Sequence, residues 1–235
     1  TAIYAAQDSG ATVYAGGLDI KDTTAGDIYP LVIRNNNAGG SEGVGIKFHI
    51  ANTLNAGAIL MDAEAPYGSS AQADAAMQFY TSLDNTLTAR LTISSAGNVG
   101  IGNSAPTSLL EVSKSAGTPT LAVTTWSTTD GESSQFAFKK SSSATINTKA
   151  VTADDESLGD VSVYGVDTGS DHRRAAQIKF EQDASSTSSK VAGRIIFKTS
   201  STSANDVERM RIDSAGTTSL TPAASTYALQ ITSSN

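Results

Sequence analysis

The chain has 235 residues, of which 39% are hydrophobic, 6% aromatic and 17% charged, with no cysteine and a net charge of −7. The lack of cysteine excludes disulfides, thiolate metal sites and cysteine nucleophiles. The acidic charge disfavours binding to nucleic acid or to anionic membranes, and no apolar run approaches the ~20 residues that span a bilayer. Serine and threonine make up roughly a quarter of the chain, so few large side chains remain for a thick core. We therefore expect thin layers that bury their apolar residues by stacking or against partner chains.

Apolar residues recur in alternating pairs along the whole chain. A period of two places each pair on one face of a β-strand and the intervening residues on the other. The pairs are Leu18/Ile20, Leu31/Ile33, Ile46/Phe48/Ile50, Met77/Phe79, Leu91/Ile93, Val99/Ile101, Leu110/Val112, Leu121/Val123, Phe136/Phe138, Val161/Val163, Ile178/Phe180, Ile195/Phe197, Met210/Ile212 and Leu229/Ile231. Turn-rich segments separate them, so the pattern predicts an all-β chain of short strands. One tract, Ser70–Met77, has helical potential, and a short helix and an alanine-lined turn are both open there.

A long internal repeat organises the chain. The string Ser94–Gly97 (SSAG) returns as Asp213–Gly216 (DSAG), a shift of 213 − 94 = 119 residues. Further upstream, Ile46–Phe48 matches Ile178–Phe180 at a shift of 132, which predicts a 13-residue insertion in the first copy around Ala63–Ala75. The predicted parts are 1–30 (end of a preceding repeat and connector), 31–112 (first β repeat module), 113–231 (second β repeat module with an extra inserted segment) and 232–235 (start of a following segment).

Such modules have a structural problem at their edges and faces. Thin β layers leave open strand edges and an uncovered apolar face, which stacking of modules or wrapping with identical chains removes. We therefore expect repetitive short-strand modules in an elongated, self-associating fibre. The pattern does not fix the number of subunits.

Two strings stand out within the repeat. Glu208–Gly216 reads ERMRIDSAG, and Asn98–Gly102 reads NVGIG with Pro106 shortly after it. The strand pattern upstream of the first string includes Gly159–Asp167 and Ala192–Thr199. These segments resemble the repeat modules of bacteriophage tail fibre proteins, in which ERMRIDSxG is followed by NVGIG and then by a proline. Here the two halves of that signature are divided between the two copies.

The resemblance implies a parallel, intertwined homotrimer on the virion, outside the cell, with modules of the β-prism, triple-β-helix or stacked β-sandwich type. It implies a structural shaft that displays a host-recognition tip, since no counterpart of the receptor-binding tip or of a self-cleaving chaperone is found in the sequence. The implied partners are copies of the chain, other tail fibre or baseplate proteins, and host surface glycans. Neither nucleic acid nor membrane insertion is expected.

The ERMRIDSAG string also supplies candidates for contacts between chains. Met210 and Ile212 are expected to face the core, with Arg209, Arg211 and Asp213 on the opposite face. These charges form either an inter-chain ion-pair ladder or a solvated strand edge. The suspected motif and inter-chain contact residues are Glu208, Arg209, Met210, Arg211, Ile212, Asp213, Gly216, Gly97, Val99 and Ile101.

Side chains suited to catalysis or metal binding are scattered. His49 and His172 are the only histidines, and lone surface histidines are rarely metal ligands. The acidic stretch Asp154–Glu156, followed by Asp160, Asp167 and Asp171, is interpreted as solvated loops. We expect no enzymatic activity, no cofactor and no bound metal.

Two other functions stay open. The chain is alternatively a glycan-binding adhesin on a phage or bacterial surface, with Trp126 and Tyr164 stacking on a sugar, although an isolated aromatic is more often part of a core. A polysaccharide depolymerase tailspike is less favoured, because it needs two carboxylates held in a cleft.

Overall fold

The structure, a computed structural model, describes residues 33, 43–50, 54–64 and 73–221. All regular secondary structure in these ranges is β-strand. The strands are β1 (Gly43–Ile50), β2 (Leu54–Ala63), β3 (Ala75–Leu83), β4 (Thr86–Ile93), β5 (Val99–Ile101), β6 (Leu110–Val112), β7 (Ser157–Val166), β8 (His172–Gln182), β9 (Gly193–Thr199), β10 (Val207–Ile212) and β11 (Thr218–Leu220). Within the described residues, no helix is long and apolar enough to cross a membrane. The chain divides into two compact units between Ala122 and Val123.

The first sheet contains β1 to β6 in chain order. Neighbouring strands from β1 to β5 run antiparallel, and β6 pairs with β5 in parallel. Asp84 and Asn85 join β3 to β4, and their φ values of 49° and 64° are both positive. A two-residue turn of this kind matches the twist of the strands that it joins, so it fixes the register of the hairpin.

A tight loop carries the chain from β5 back to the parallel strand β6. A Cβ atom on Gly100 would lie 2.2 Å from the Asn103 carbonyl oxygen, and Gly102 has a φ of +73°. Pro106 is buried in this loop, and its carbonyl accepts a hydrogen bond from Asn98 Nδ2 at 3.1 Å. The glycines of the NVGIG string therefore allow the loop to fold back onto β5.

The second sheet contains β7 to β11 in chain order, all antiparallel, with β7 and β11 at its edges. Gln182 at the end of β8 is completely buried. Its Oε1 accepts a hydrogen bond from Thr152 Oγ1 at 2.5 Å, and its backbone bonds to Asp155 and Glu156 at 3.0 Å each. These contacts attach the segment before β7 to the end of β8.

Most of the predicted apolar pairs within the described ranges lie in strands. The confirmed pairs are Ile46/Phe48/Ile50, Met77/Phe79, Leu91/Ile93, Val99/Ile101, Leu110/Val112, Val161/Val163, Ile178/Phe180, Ile195/Phe197 and Met210/Ile212. The prediction is wrong for Leu121/Val123 and Phe136/Phe138, which lie in irregular backbone. Leu18/Ile20, Leu229/Ile231 and Leu31 lie outside the described residues.

Two strands were not predicted, and the end of the tract 70–77, for which a short helix or a turn was expected, forms part of a strand. β2 was missed because its run of alanine, glycine and large apolar residues does not alternate, and β11 because it is only three residues long. Of the tract 70–77, residues 70–72 lie outside the described part, and Ala75–Met77 begin β3. The predicted division into four parts stays a prediction, and its first and last parts lie outside the described residues.

Strand register shows how the two sheets correspond. Residues that lie opposite one another on β2, β3 and β4 have counterparts on β8, β9 and β10. The two rows are Ile59–Phe79–Leu91 and Ile178–Phe197–Met210. Ile178 thus corresponds to Ile59, at 178 − 59 = 119, which is the shift of the SSAG and DSAG strings. The predicted match of Ile178 with Ile46 is therefore wrong, and the 13-residue insertion is not needed, because Ile46 lies on the first strand of its sheet and Ile178 on the second.

A β-bulge recurs at the same place in both sheets. The register shifts at Arg90 in β4 and at Arg209 in β10, which are 209 − 90 = 119 residues apart. Arg90 Nε donates to Thr81 Oγ1 at 2.9 Å, and Arg209 Nε donates to Thr199 Oγ1 at 3.0 Å. The repeat is thus visible in the hydrogen bonds as well as in the letters of the sequence.

Candidate interaction surface

One face of the first sheet is almost entirely apolar. Directly paired residues share a face, so the register defines three rows across the sheet. The rows are Ile46–Ile59–Phe79–Leu91–Ile101–Val112, Val44–Met61–Met77–Ile93–Val99–Leu110 and Phe48–Gly57–Thr81–Thr88. All of the apolar side chains in these rows are exposed or half-buried, as Ile46 (43% exposed) illustrates. We call this the first apolar face.

The second sheet has an equivalent surface, the second apolar face. Its rows are Val161–Ile178–Phe197–Met210–Leu220 and Phe180–Ile195–Ile212. Leu220 is 40% exposed, and Ile178 and Val161 are also exposed. The two sheets therefore present the same kind of surface.

Most of the buried residues in the strands lie on the opposite faces, and most of these are polar. Within the described ranges, the buried hydrophobic residues are Ala76 and Ile196. Buried polar residues are Gln78, Thr92, Thr152, Gln177, Glu181 and Gln182. This distribution is the reverse of that in a water-soluble monomer, in which large apolar side chains are buried and polar ones are exposed. Contiguous exposed apolar surface of this kind marks an interaction surface.

An aromatic cluster extends the second apolar face. Phe138, from the irregular segment before β7, stacks on Phe180 of β8 with ring centroids 6.4 Å apart, and Phe136 meets Phe138 edge to face at 5.1 Å. A Cβ on Gly159 would lie 2.8 Å from Phe138 Cβ, so the glycine makes room for the ring. A groove of about 510 Å³ lies here, lined by these phenylalanines with Leu158 and Val161, and it contains no charged side chain.

The suspected contact residues divide between the two sides of the sheets. Val99 and Ile101 lie on the first apolar face, and Met210 and Ile212 lie on the second, as the alternation predicted. Gly97 and Gly216 have φ values of +82° and +84° and occupy equivalent turns. The inter-chain role of these residues stays a prediction.

The charged members of the ERMRIDSAG string have partners within the chain. The bulge at Arg209 places Glu208 and Arg211 on the same side of β10, where Arg211 donates two hydrogen bonds to Glu208, at 2.9 and 2.8 Å. This pair raises the pKa of Arg211 above its ordinary value. Asp213 Oδ1 accepts hydrogen bonds from the backbone N–H groups of Ala215 and Thr217, which closes the turn between β10 and β11. The inter-chain ladder thus stays a hypothesis, with these bonds already formed inside each chain.

A buried charge network that the sequence did not reveal lies on the polar face of the second sheet. Arg194 in β9, with its side chain only 11% exposed, bonds to Asp155, Glu181 and Asp183. Hydrogen bonds to these three carboxylates raise the pKa of Arg194 above its ordinary value. Burial raises the pKa of Glu181, but hydrogen bonds from Lys179 and Arg194 outweigh it and lower the net pKa. The sequence did indicate one member of this network, Asp183. The repeat aligns it with Glu64, a carboxylate at the equivalent strand end.

Several of the remaining candidate residues take part in turns and loops. Among the described residues, no group of three or more histidine and acidic side chains is placed to hold a metal ion. Asp167 accepts hydrogen bonds from Gly169 and Asp171 backbone N–H groups and from Arg173, so it closes the β7–β8 turn. Glu156 bonds to Lys140 at 2.7 Å. These acidic residues are therefore used in loop structure.

The fold has solved counterparts. Two structures of the carboxy-terminal domain of the bacteriophage T5 L-shaped tail fibre superpose on 93% of this chain, with TM-scores of 0.69 and 0.68 and 11% sequence identity. The chain shares the fold of a phage tail-fibre domain. The first of these structures, which includes its intramolecular chaperone domain, is matched over 67% of its length, and the second over 98%. No protein-family model matches the sequence, and no curated protein matches it. The likeness to tail-fibre domains is therefore one of fold.

Proposed function

We propose that this chain is a structural segment of a phage tail fibre, a component of the virion that assembles with copies of itself. The observation that carries the proposal is the pair of uncovered apolar faces, one on each sheet. The shared fold with the tail-fibre carboxy-terminal domain of bacteriophage T5 supports the same conclusion. The function is mechanical: the modules hold a host-recognition surface at a distance from the particle.

The uncovered faces supply the driving force for assembly. Burying one large apolar side chain fully is worth about 1.5–3 kcal/mol, and each face carries several such side chains. A closed three-fold arrangement of parallel chains turns these faces toward a shared axis and leaves the serine, threonine and charged residues in water. We propose that Val99, Ile101, Met210 and Ile212 make these contacts in a homotrimer.

The role proposed is structural and not catalytic. Asp167, Glu156 and Asp183 accept hydrogen bonds from a backbone N–H group, a lysine and an arginine respectively, so these three carboxylates serve as acceptors in loops. Other tail fibre or baseplate proteins are the partners proposed at the ends of the segment. We propose a shaft position, next to a host-recognition tip.

A second candidate function is direct glycan binding by the turn at Trp126. This side chain is 92% exposed, and its ring is available to stack on a sugar. Ser127 Oγ bonds to the Glu132 carboxylate beside it, so polar groups border the ring. Binding of the purified chain to a glycan array, abolished by Trp126→Ala, would establish this function. Loss of oligomerisation in the same variant would instead assign Trp126 to the subunit interface.

Sedimentation of the purified chain tests the proposed assembly. The expected species has three times the 24.1 kDa mass of the chain and resists mild detergent, since burial between chains slows dissociation. A stable monomer at micromolar concentration would contradict the proposal. Immunogold labelling of virions with antibodies against the purified chain then tests its location in the fibre.

A further inference from the structure

The segment between the two sheets has an unusual combination of properties. Residues 120–126, which we call the first arm, and residues 133–140, the second arm, flank a formed turn. In that turn Glu132 N donates to the Thr129 carbonyl at 3.4 Å, Gly131 has a φ of +92°, and Thr125 Oγ1 lies 2.9 Å from Ser134 Oγ. The turn is therefore built as in a hairpin.

The arms nevertheless do not pair. Within the described part of the chain, no backbone N–H or C=O group of either arm forms a hydrogen bond. Their sequences alternate as strands do, and their apolar side chains are uncovered: Leu121 is 69% exposed and Phe136 is 70% exposed. β-branched and aromatic residues on an extended, unbonded backbone are suited to adding a strand to a sheet.

The second sheet offers an edge of the required kind. β7 is ten residues long, lies at the end of its sheet, and among the described strands bonds only to β8. Val161, Val163 and Val166 are exposed along it. Such a long apolar edge invites pairing with another strand, and proteins with edges of this kind normally cover them.

We infer that the first arm of one copy adds a strand to the β7 edge of the next copy, with Leu121 and Val123 entering the groove at Phe138. This inference rests on the proposed self-assembly and names the surfaces that meet. Each chain carries one first arm and one β7 edge, so the contact runs from head to tail and satisfies every copy when three of them close a ring.

The distribution of charged residues supports a second copy of this chain as the partner that pairs with the β7 edge. Residues 118–129 contain no charged residue in a chain whose net charge is −7. The groove beside β7 is also uncharged. An uncharged arm can approach an acidic copy of the same chain without repulsion, whereas a partner chosen by charge would require a complementary basic or acidic lining.

Hydrogen exchange of the purified chain tests the arm directly. Since the amides of residues 120–126 have no acceptor among the described residues of their own chain, an arm in water exchanges at the rate of an unstructured peptide. Pairing with another copy slows exchange by about 100-fold or more. An oligomer whose arm exchanges at the unstructured rate would overturn this inference and leave the proposed function standing. A monomer would overturn both.

Cross-linking identifies the acceptor edge. The chain has no cysteine, so Thr124→Cys and Ser162→Cys each introduce a single thiol. Both positions alternate with the residues that face the groove, so the two thiols lie on the same side of the paired strands. In oligomers reassembled from the two variants mixed together, a short bismaleimide should join the two chain types into a covalent dimer, with each variant alone as the control. A protected arm that gives no product specific to the mixture would overturn the assignment of β7. Protection that appears only after a glycan or another protein is added would overturn the choice of a second copy.

Discussion

The Asp183 carboxylate accepts a hydrogen bond from the Ser214 backbone N–H at 2.8 Å, which ties the loop after β8 to the turn between β10 and β11. The same contact occurs 119 residues earlier, where Glu64 Oε2 accepts from the Ser95 backbone N–H at 3.2 Å. Each sheet thus holds its SAG turn through a carboxylate at the end of its second strand. Asp183 also bonds to Arg194, so the turn of the second sheet is connected to the buried charge network.

Removing this carboxylate should destabilise the second unit. In Asp183→Ala, the Ser214 N–H and the Arg194 guanidinium each lose an acceptor, so we expect a lower midpoint of thermal unfolding by circular dichroism. Asp171→Ala is the matched control, because Asp171 is largely exposed and bonds mainly to the exposed Arg173. Equal midpoints for the two variants would show that the Asp183 contacts do not contribute to the stability of the second unit.

Acid should weaken the second unit within a defined pH window. Hydrogen bonds from Ser214 lower the pKa of Asp183 to about 2, and the hydrogen bond from Lys140 lowers the pKa of Glu156 to about 2. Because both values lie below the ordinary 3.8 and 4.5, the folded state binds fewer protons than the unfolded state. The stabilisation is present above pH 4.5 and is lost as the pH falls towards 2.

Denaturant titrations at several pH values measure this effect. The double variant Asp183→Asn with Glu156→Gln removes both groups, and its stability should change less between pH 4.5 and 2 than that of the wild type. An identical pH dependence in the two proteins would show that Asp183 and Glu156 are not the source of the loss of stability in acid.

Breaking the Arg194 network should lower the free energy of unfolding. Arg194→Met leaves the carboxylate of Glu181, with its side chain 8% exposed, without its arginine partner. Removal of one member of a buried pair costs about 3 kcal/mol, and we expect that decrease in the free energy of unfolding. Arg173→Met is the control, because Arg173 is 63% exposed and its pairs should contribute less than ~1 kcal/mol. Urea unfolding of both variants measures the difference.

A charge on an apolar face should weaken the oligomer. Leu220 and Ser219 are neighbours on β11, both exposed in the single chain, but Leu220 lies in the row of Met210 and Ser219 lies opposite Arg211 on the other face. We expect Leu220→Asp to raise the dissociation constant of the assembly by at least about tenfold, because it places an unpaired carboxylate in an apolar contact. Ser219→Asp should leave it within about twofold. Sedimentation across a dilution series distinguishes the two, and similar effects would place the interface elsewhere.

Gly97 of the SSAG string and Gly100 of the NVGIG string should respond differently to substitution by alanine. Gly97 has a positive φ but nothing within 4 Å of an added Cβ, so Gly97→Ala should cost about 1 kcal/mol from backbone strain. In Gly100→Ala the new methyl group would lie 2.2 Å from the Asn103 carbonyl oxygen, and the cost should be larger, about 2 kcal/mol or more. Thermal unfolding of both variants tests the order. A smaller loss for Gly100→Ala would show that the loop can move aside.

Local pattern predicted some strands well and others poorly. Ile178 and Phe180 alternate with polar residues, and the strand that contains them was identifiable because one face is polar. β2 carries Ile59, Leu60 and Met61 in succession, so a period of two could not be detected. Phe136 and Phe138 alternate as strands do, yet they pair with no strand in the described part of the chain, because a strand needs a partner that local sequence does not specify.

The charge network lay beyond prediction for a related reason. Arg194 meets Asp155 across 39 positions of the sequence, and only the pairing of β8 with β9 brings Glu181 and Arg194 opposite one another. Nothing in the residues adjacent to Arg194 distinguishes it from an exposed arginine.

The sequence by itself determined that the chain is all-β, that it repeats at 119 residues, and that Met210 and Ile212 share a face. These properties follow from local periodicity and self-similarity, which need no knowledge of what each residue contacts. Only the tertiary structure decided that Ile178 corresponds to Ile59, that Glu208 and Arg211 pair across a bulge, and that the apolar faces are left uncovered. Register, bulges and burial depend on which strands hydrogen-bond to one another, and that pairing is set by contacts between residues far apart in the chain.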